Sequence, residues 1–363
     1  MLTVSVLIVL VASPAAARTT GHAYVLGKFG TGISQYSIGV GGLLLPLSPL
    51  SISTSRTLSI TVTPDGKRVY APVCCGVSGV LQYNIDPLTG ALSPPTLATT
   101  AGGFEAVTIA VTPDGRSAYV TNQLGLNYIF EYTIDQVTGA LSPKTPATIP
   151  AGLQPMDVAV APDGKSAYVT DQNDNTISQY NIDRVTGALS PKTPETVATG
   201  RLPQFVVVTP SGKSAYVTNQ DDNTISQYRV DRVTGALSPN TPATVPTGST
   251  PSDLAVTPNG KSLYVTNGSD GTVSQYDINR HTGTLSPKTP ATVATASPSA
   301  VVVAADSESA YVTNQSDGTV SQYNIDRVTG ALSPKAPATV AAGADPFAIV
   351  AWPPARRSGR SEH

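Results

Sequence analysis

Short apolar runs alternate with turn residues along the chain, most clearly in the unit that begins at Pro155. Its first run, Met156 to Ala161, consists mostly of small apolar residues, as in a strand buried on both faces and therefore innermost in its sheet. A Pro-Asp-Gly turn separates it from a second run, Ser166 to Thr170, which carries Tyr and Val. Because every run is shorter than the roughly ten residues that a helix needs, the pattern predicts strands throughout.

Two further strands complete the unit. Asp174-Asn175 predicts a tight type I′ hairpin before the third strand, Thr176 to Asp183. The fourth strand, Ala188 to Val197, carries two prolines, which cannot donate to a sheet ladder and therefore favour an edge. One unit thus predicts a four-stranded antiparallel sheet with its first strand innermost and its last outermost.

A tyrosine in the second strand marks seven copies of this unit. It recurs at intervals of 46 to 49 residues, at Tyr24, Tyr70, Tyr119, Tyr168, Tyr216, Tyr264 and Tyr311. A four-stranded sheet cannot bury both faces alone, so the copies predict an all-β ring of stacked blades, a seven-bladed β-propeller. The first copy starts at its second strand, His22 to Lys28, and the last apolar run, Pro346 to Trp352, matches an innermost strand. We therefore expect the C-terminal strand to close the ring.

The segments outside the repeats suggest an exported protein. Leu2 to Ala12 is an apolar run, and the small residues up to Ala17 suit cleavage by signal peptidase. Because no Lys or Arg precedes the run, an uncleaved anchor and a misassigned start codon stay open. We expect residues 1–17 to be a secretory signal peptide, 18–352 the propeller and 353–363 a disordered basic tail. This division predicts a protein that is secreted, periplasmic or at the cell surface.

The amino-acid composition limits the classes of partner that this protein can bind. Lys plus Arg (22) nearly balances Asp plus Glu (24), so no strong field attracts nucleic acid, and no stretch is long enough for a stable membrane span. Cys74 and Cys75 are adjacent, which leaves a vicinal disulfide and two buried thiols open. No spacing of His, Cys or carboxylates suggests a metal, and we expect no cofactor and a monomer. The remaining partners are a protein, a polymer or a small lactone-like ligand.

The strand Tyr-Val-Thr-Asn and the segment Asp-Arg-Val-Thr-Gly-Ala-Leu-Ser-Pro, at 183–191 and again at 326–334, resemble the YVTN-type repeats of the seven-bladed lactonase family. That family includes 6-phosphogluconolactonase-like proteins and carboxymuconate cyclases. The resemblance implies a reaction in the central channel, with His, Arg and Glu supplied by loops near the innermost strands. This chain departs from it, because the repeat places none of His22, His281 and His363 at the channel.

Positions that differ between copies at the channel mouth are the candidate site, because folding already explains the shared ones. The first ring lies six positions before the key Val of each innermost strand and consists of Arg56, Glu105, Gln154, Leu202, Thr250, Ser297 and Asp345. Asp157 and Asp253 stand three positions further along their strands, where other copies carry Ser, Thr, Ala or Phe. Arg201 lies one residue outside the first ring.

These residues support two hypotheses. In the first, Arg56 orients an anionic substrate and Glu105 is a general base, with Asp345, Gln154, Asp157, Arg201 and Asp253 binding the ligand. In the second, the charges are solvated loop residues, and Asp157 and Asp253 hydrogen-bond loop amides. Because the blades are nearly identical and the channel is poor in catalytic residue types, the sequence favours a binding scaffold with a ligand site at the channel mouth. The alternative is a lactone hydrolase of the 6-phosphogluconolactonase type or a muconate-type cyclase.

Overall fold

The computed structural model describes residues 20–74, 79–99, 105–123 and 127–352. These residues form seven antiparallel sheets of four strands each, with a single 3-10 turn at Lys28–Gly30. The strands are β1 (Gly21–Gly27), β2 (Ile33–Ile38), β3 (Leu44–Ile52), β4 (Thr61–Val62), β5 (Arg68–Pro72), β6 (Val80–Asn84), β7 (Thr96–Thr99), β8 (Ala106–Val111), β9 (Ser117–Asn122), β10 (Tyr128–Ile134), β11 (Leu141–Pro150), β12 (Pro155–Val160), β13 (Ser166–Asp171), β14 (Thr176–Ile182), β15 (Leu189–Ala198), β16 (Pro203–Val208), β17 (Ser214–Asn219), β18 (Thr224–Val230), β19 (Leu237–Pro246), β20 (Pro251–Val256), β21 (Ser262–Asn267), β22 (Thr272–Ile278), β23 (Leu285–Ala294), β24 (Pro298–Val303), β25 (Ser309–Asn314), β26 (Thr319–Ile325), β27 (Leu332–Ala341) and β28 (Pro346–Trp352).

Each sheet is one blade, and blade 1 joins the two ends of the propeller. Its strand order is β28-β1-β2-β3, and β28 pairs antiparallel with β1, for example Ala351 with Ala23 and Ile349 with Val25. Blades 2 to 7 take their strands in chain order, from β4-β5-β6-β7 to β24-β25-β26-β27. The structure therefore confirms the seven-bladed all-β fold and its closure by the C-terminal strand.

The innermost strands are less buried than their apolar sequence predicts. In β12, Val158 is buried, whereas Met156, Asp157, Ala159 and Val160 keep partial exposure, because one side of the strand faces the central channel. The prediction of a type I′ hairpin at Asp174-Asn175 is also wrong. Residues 172–175 form a four-residue connection in which Asn175 alone has a positive φ, of 55°. Type I′ geometry requires two such residues.

Buried tyrosine hydroxyls tie each blade to the next. In all seven blades the second-strand tyrosine is fully buried and donates a hydrogen bond of 2.6 to 2.7 Å to a glycine carbonyl of the following blade. The glycine lies in the turn between the third and fourth strands. The bond from Tyr311 of blade 7 to Gly42 of blade 1 completes the circle. A glycine fits this turn in the left-handed region; Gly187, for example, has φ 68°.

A buried amide makes a second bond between blades. In five blades the glutamine of the third strand accepts a hydrogen bond of 2.6 to 2.7 Å from a leucine amide of the next blade, and its NH₂ donates to a proline carbonyl of its own fourth strand. In blade 3 this position is Glu131, whose Oε2 accepts from the amide of Leu189 at 2.7 Å. Glu131 is 1% exposed, and burial raises the pKa of its carboxyl.

The strand order defines two faces of the propeller. At the entry face the innermost strands begin, as at 151–154, beside the hairpins between the second and third strands, as at 172–175. At the exit face lie the turns that leave the innermost strands, as at 161–165, and the turns between the third and fourth strands, as at 183–188. Within the described ranges, no helix is long and apolar enough to cross a membrane. The predicted signal peptide, Cys75 and the basic tail lie outside the described residues.

Removing β28 should open the ring. We expect a chain ending at Gly343 to lose most of its cooperative thermal transition or to unfold at a much lower temperature, because β1 would present an unpaired edge and the buried face of blade 7 would lose its neighbour. Thermal unfolding followed by circular dichroism measures this. A chain ending at Trp352 is the matched control and should unfold like the full chain. An unchanged melting temperature after removal of β28 would show that the ring does not depend on this closure.

Replacing Glu131 by Gln should stabilise the protein at neutral pH by roughly 1 to 3 kcal/mol, because the amide adds a donor for the proline carbonyl and removes a buried charge. A raised carboxyl pKa favours the protonated folded form. Wild-type stability from this group is therefore complete below about pH 4 and is lost as the pH rises through the folded pKa. The advantage of the variant should accordingly grow from pH 4 to pH 7.5 in urea unfolding. Gln179→Glu in blade 4 is the reverse control and should destabilise; equal stabilities would contradict this account.

Candidate functional site

Backbone hydrogen bonds show that the seven residues of the first ring are structurally equivalent. The carbonyl of each accepts a bond of 2.8 to 3.1 Å from the first amides beyond the second strand, for example from Gln172 to Gln154 and from Lys28 to Asp345. The ring therefore encircles the channel at the entry face, where the sequence comparison placed it.

Five first-ring residues have a left-handed backbone. These are Gln154, Leu202, Thr250, Ser297 and Asp345, with φ between 45° and 56°. This conformation is uncommon outside glycine, above all for a β-branched residue such as Thr250. Side-chain amides of the hairpins hold it: Asn175 Oδ1 accepts from the amide of Leu202 at 2.9 Å, and Asn223 Oδ1 from that of Thr250 at 2.8 Å. Much of this ring therefore serves the chain reversal into the innermost strand.

The three charged members of the first ring lie on consecutive blades. Asp345 leads into β28 of blade 1, Arg56 precedes β4 of blade 2, and Glu105 precedes β8 of blade 3. Arg56 and Asp345 are exposed and Glu105 is half-buried. No ion pair joins these three within the residues that the structure describes. They are three solvent-facing charges around one sector of the mouth.

Two further mouth residues make other contacts. Lys28 places its Nζ 5.0 Å from the ring centre of Phe347, a cation-π distance, beside Asp345. Arg201 forms an ion pair with Asp221 at 3.4 Å, with both side chains largely in solvent. Such an exposed pair contributes little to stability, so Arg201 is held only loosely outside the first ring.

Asp157 and Asp253 lie deeper, on the innermost strands of blades 4 and 6, and each reaches across to the next blade. Asp157 Oδ2 accepts from the amide of Val206 at 3.0 Å, and Asp253 Oδ2 from that of Val301 at 2.9 Å. Asp253 Oδ1 also accepts from the amide of Leu254 at 2.8 Å. Both carboxyls therefore accept hydrogen bonds from backbone amides, as the solvated-loop hypothesis expected. The amides belong to strands, however, and not to loops.

The surroundings of Asp157 and Asp253 raise the pKa values of both carboxyls towards neutral pH. Burial raises the pKa of Asp157 to about 6, against the lowering effect of its amide bonds. Burial likewise raises the pKa of Asp253 to about 7, and the charge of Asp157 adds to the shift. Burial is the dominant cause for both groups, and the charge of Asp157 is the smallest of the effects on Asp253. A carboxyl with a pKa near the working pH can both accept and donate a proton, which is the property of a general acid or base.

Hydroxyl groups extend this polar lining between the blades. Ser252 Oγ donates to the carbonyl of Ser299 at 2.9 Å, and Ser299 Oγ to that of Pro346 at 2.9 Å. The described histidines lie elsewhere: His281 is in an exit-face turn, and His22 is buried at the start of β1 against Gly90. The comparison of repeats found the two aspartates but not the hydroxyls, because Ser and Thr recur along every blade and only packing shows which of them reach a neighbouring strand.

Comparison with known proteins places this geometry in one class, the seven-bladed propellers. The family model described as "Lactonase, 7-bladed beta-propeller" matches residues 53–246 and 239–345, and the chain belongs to that family. No curated protein sequence matches the chain.

Solved structures share the fold at low sequence identity. One is a protein of Bacteroides fragilis provisionally named a 6-phosphogluconolactonase, with 21% identity and a TM-score of 0.78, which covers 94% of this chain and 100% of its own. Another is the periplasmic gluconolactonase of Pseudomonas aeruginosa, with 17% identity and a TM-score of 0.74, covering 91% and 98%. A functionally unknown protein of Desulfotomaculum acetoxidans has 18% identity and a TM-score of 0.70, covering 92% and 99%.

Asp253→Ala should destabilise the protein by roughly 1 to 3 kcal/mol at pH 5, because the amides of Leu254 and Val301 lose their acceptor. The raised pKa of Asp253 means that its stabilising contribution is complete below about pH 4 and is lost as the pH rises through about 7. The deficit of the variant should therefore shrink between pH 5 and pH 8.5 in urea unfolding. Asp345→Asn, at the exposed first ring, is the control and should change stability little, because Asn tolerates the left-handed backbone of this position. Equal effects of the two substitutions would refute a role for Asp253 in bridging the blades.

Proposed function

We propose that the protein hydrolyses a lactone at the entry end of its central channel. The observation that carries the proposal is the pair Asp157 and Asp253, whose carboxyls lie on channel-lining strands with pKa values raised to about 6 and about 7. Membership of the lactonase propeller family supports the same reaction class. The sequence alone favoured a scaffold, because the blades are nearly identical and the channel is poor in catalytic residue types.

The proposed reaction needs a general base in the channel and a cation at the mouth that orients the substrate. Ionised Asp253 takes a proton from water, and the water oxygen attacks the lactone carbonyl carbon. The ring C–O bond then breaks, and the alkoxide that leaves takes the proton from Asp253, which returns to its ionised form. The hydroxy acid so formed releases its carboxyl proton at neutral pH. Asp157 tunes the pKa of Asp253 by its charge. Arg56 orients an anionic substrate at the mouth.

Glu105 has a secondary place in this proposal. It is half-buried at the first ring, next to the innermost strand of blade 3, and can hydrogen-bond a substrate hydroxyl there. Gln154 and Asp345 offer further polar groups around the mouth, and Arg201 lies outside it. We place the protein outside the cytoplasm on the basis of its predicted signal peptide.

A second candidate is a non-catalytic propeller that binds a protein, a polymer or a small lactone-like molecule at the same mouth. The amide bonds of Asp157 and Asp253 favour it, because carboxyls that join blades have a structural reason to be present. In this case ligand binding occurs without turnover.

The deciding experiment is proton release by the purified protein with a panel of sugar, aryl and muconate lactones. We expect saturable hydrolysis whose kcat/KM rises with pH through about 7, since Asp253 must be ionised to act as a base. Asp253→Asn should reduce kcat by about a hundredfold or more, in line with the loss of a general base. Arg56→Ala should raise KM for anionic lactones.

Asp317→Asn is the control, because Asp317 is an exposed hairpin residue of the same face. Hydrolysis that persists in Asp253→Asn would place the base elsewhere, with Glu105→Gln the next variant to assay. Folded protein that binds a lactone and never opens it would favour the second candidate.

A further inference from the structure

Shallow clefts repeat around the exit face. Each cleft lies between adjacent blades and is lined by the turn that leaves an innermost strand and by the turns between third and fourth strands. In the cleft between blades 3 and 4, charges of both signs alternate: Asp114, Arg116, Lys144, Asp163 and Arg184 all line it. The equivalent cleft between blades 5 and 6, which we call the 5–6 cleft, has a volume of about 300 Å³ and a different charge balance.

Three acidic positions of the other blades are neutral at and beside the 5–6 cleft. Ser211 and Asn259 stand where blades 3 and 4 carry Asp114 and Asp163, and Asn279 stands where blade 4 carries Asp183. The replacements keep the turn bonds: Asn259 Oδ1 accepts from Thr257 Oγ1 at 2.8 Å, and Asn279 Oδ1 from the amide of His281 at 2.9 Å. The fold therefore does not require these carboxylates, and their loss leaves a local excess of positive charge.

Four cations line this cleft without an acidic partner. Lys213, Arg229, Arg232 and Arg280 form no ion pair with any carboxylate of the described residues. In blade 4, Lys165 of the same turn is paired with Asp163 at 3.6 Å. Arg116, Lys144 and Arg184 of the cleft between blades 3 and 4 form no such pair with a carboxylate that the structure describes, but Asp114 and Asp163 line that cleft beside them. The carboxylate that does line the cleft, Asp231, uses its Oδ1 for the turn amides of Val233 and Thr234.

The side-chain amide of Asn240 is a buried donor beneath the 5–6 cleft, as comparison with the equivalent lysine of blade 4 shows. In blade 4, Lys192 Nζ donates to the carbonyl of Thr234 in the next blade at 2.6 Å and to Asn181 Oδ1 at 2.7 Å. Blade 5 has Asn240 in place of this lysine and Arg229 in place of the asparagine. Asn240 is 7% exposed, its Nδ2 has no hydrogen-bond partner, and it lies 3.7 Å from the position that a Cβ on Gly283 would occupy. Gly283 lines the cleft, so this unpaired N–H borders the cations.

We propose that the 5–6 cleft binds a phosphate monoester. Three guanidinium groups and one ammonium offer the forked and single donors that a doubly charged phosphate accepts, and the Asn240 amide supplies a donor that now lacks an acceptor. The phosphate belongs either to a soluble metabolite or to a lipid headgroup. The site lies on the exit face, away from the first ring, and does not depend on the proposed lactonase activity.

The test uses two soluble probes, inorganic phosphate and glycerol 3-phosphate, in calorimetric titrations at low salt. The informative variant is the double substitution Arg229→Asn with Asn240→Lys, which recreates the arrangement of Asn181 and Lys192 in blade 4. Its net charge equals that of the wild type, and the residues are native to a sister blade, so folding is preserved. We expect the dissociation constant to rise about tenfold or more, because the fork of Arg229 is lost and the new lysine is engaged by the turn carbonyl.

A second variant, Ser211→Asp with Asn279→Asp, restores the acids of the sister blades and should abolish binding. Arg184→Asn, which removes one cation from a sister cleft, is the matched control and should bind like the wild type.

Sedimentation with phosphatidylcholine vesicles, with and without phosphatidic acid, distinguishes a lipid headgroup from a soluble metabolite as the source of the phosphate. Cosedimentation only with phosphatidic acid assigns a lipid headgroup, and its absence beside soluble binding assigns a metabolite. Absence of binding to every probe, unchanged affinity in the charge-neutral variant, or an equal loss in Arg184→Asn would overturn the proposal.

Discussion

The hydrogen bond from a buried tyrosine hydroxyl to a glycine carbonyl of the next blade is the constraint on which this propeller depends. The hydroxyl cannot be left unpaired inside the protein without a large cost in free energy, so each blade requires a neighbour at a fixed distance and angle. The acceptor is the carbonyl of a left-handed glycine, which explains why the turn after the third strand ends in Gly in every blade. The bond from Tyr311 to Gly42 and the pairing of β28 with β1 apply the same requirement to the two ends of the chain.

Because this framework repeats, differences between blades identify residues that the framework does not require. On the entry face these are Arg56, Glu105, Asp157, Asp253 and Asp345, and on the exit face the neutral turns and unpaired cations of the 5–6 cleft. The difference is not always functional. Glu131 replaces a structural glutamine, makes the same bond to the next blade and costs stability through its buried carboxyl. A departure from the repeat therefore suggests a site only where the side chain reaches solvent or a cleft.

The sequence predicted the blades well and the site only in part. In the unit of β12 to β15, strand bounds fall within one residue of the prediction, since proline, glycine and Pro-Asp-Gly turns interrupt each apolar run. The hairpin at 172–175 was misjudged because Asp-Asn suits several turn types and the chain pairing, rather than the dipeptide, sets the loop length. The aspartates of the channel were found by comparing copies. Their bonds to the amides of the next blade, and the near-neutral pKa values that follow from burial, depend on how closely the innermost strands approach each other.

The sequence by itself therefore determined the architecture of this protein. It shows seven copies of one strand pattern, a first copy that lacks its innermost strand and a C-terminal strand that matches the missing one. It did so because strand periodicity and turn chemistry are local properties that every copy repeats. Only the tertiary structure decided which charges act together. The effect of the Asp157 charge on Asp253 and the convergence of Arg229, Arg280 and Asn240 join residues 11 to 96 positions apart. The electrostatics of such groups depend on distance and solvent access, which the order of residues does not contain.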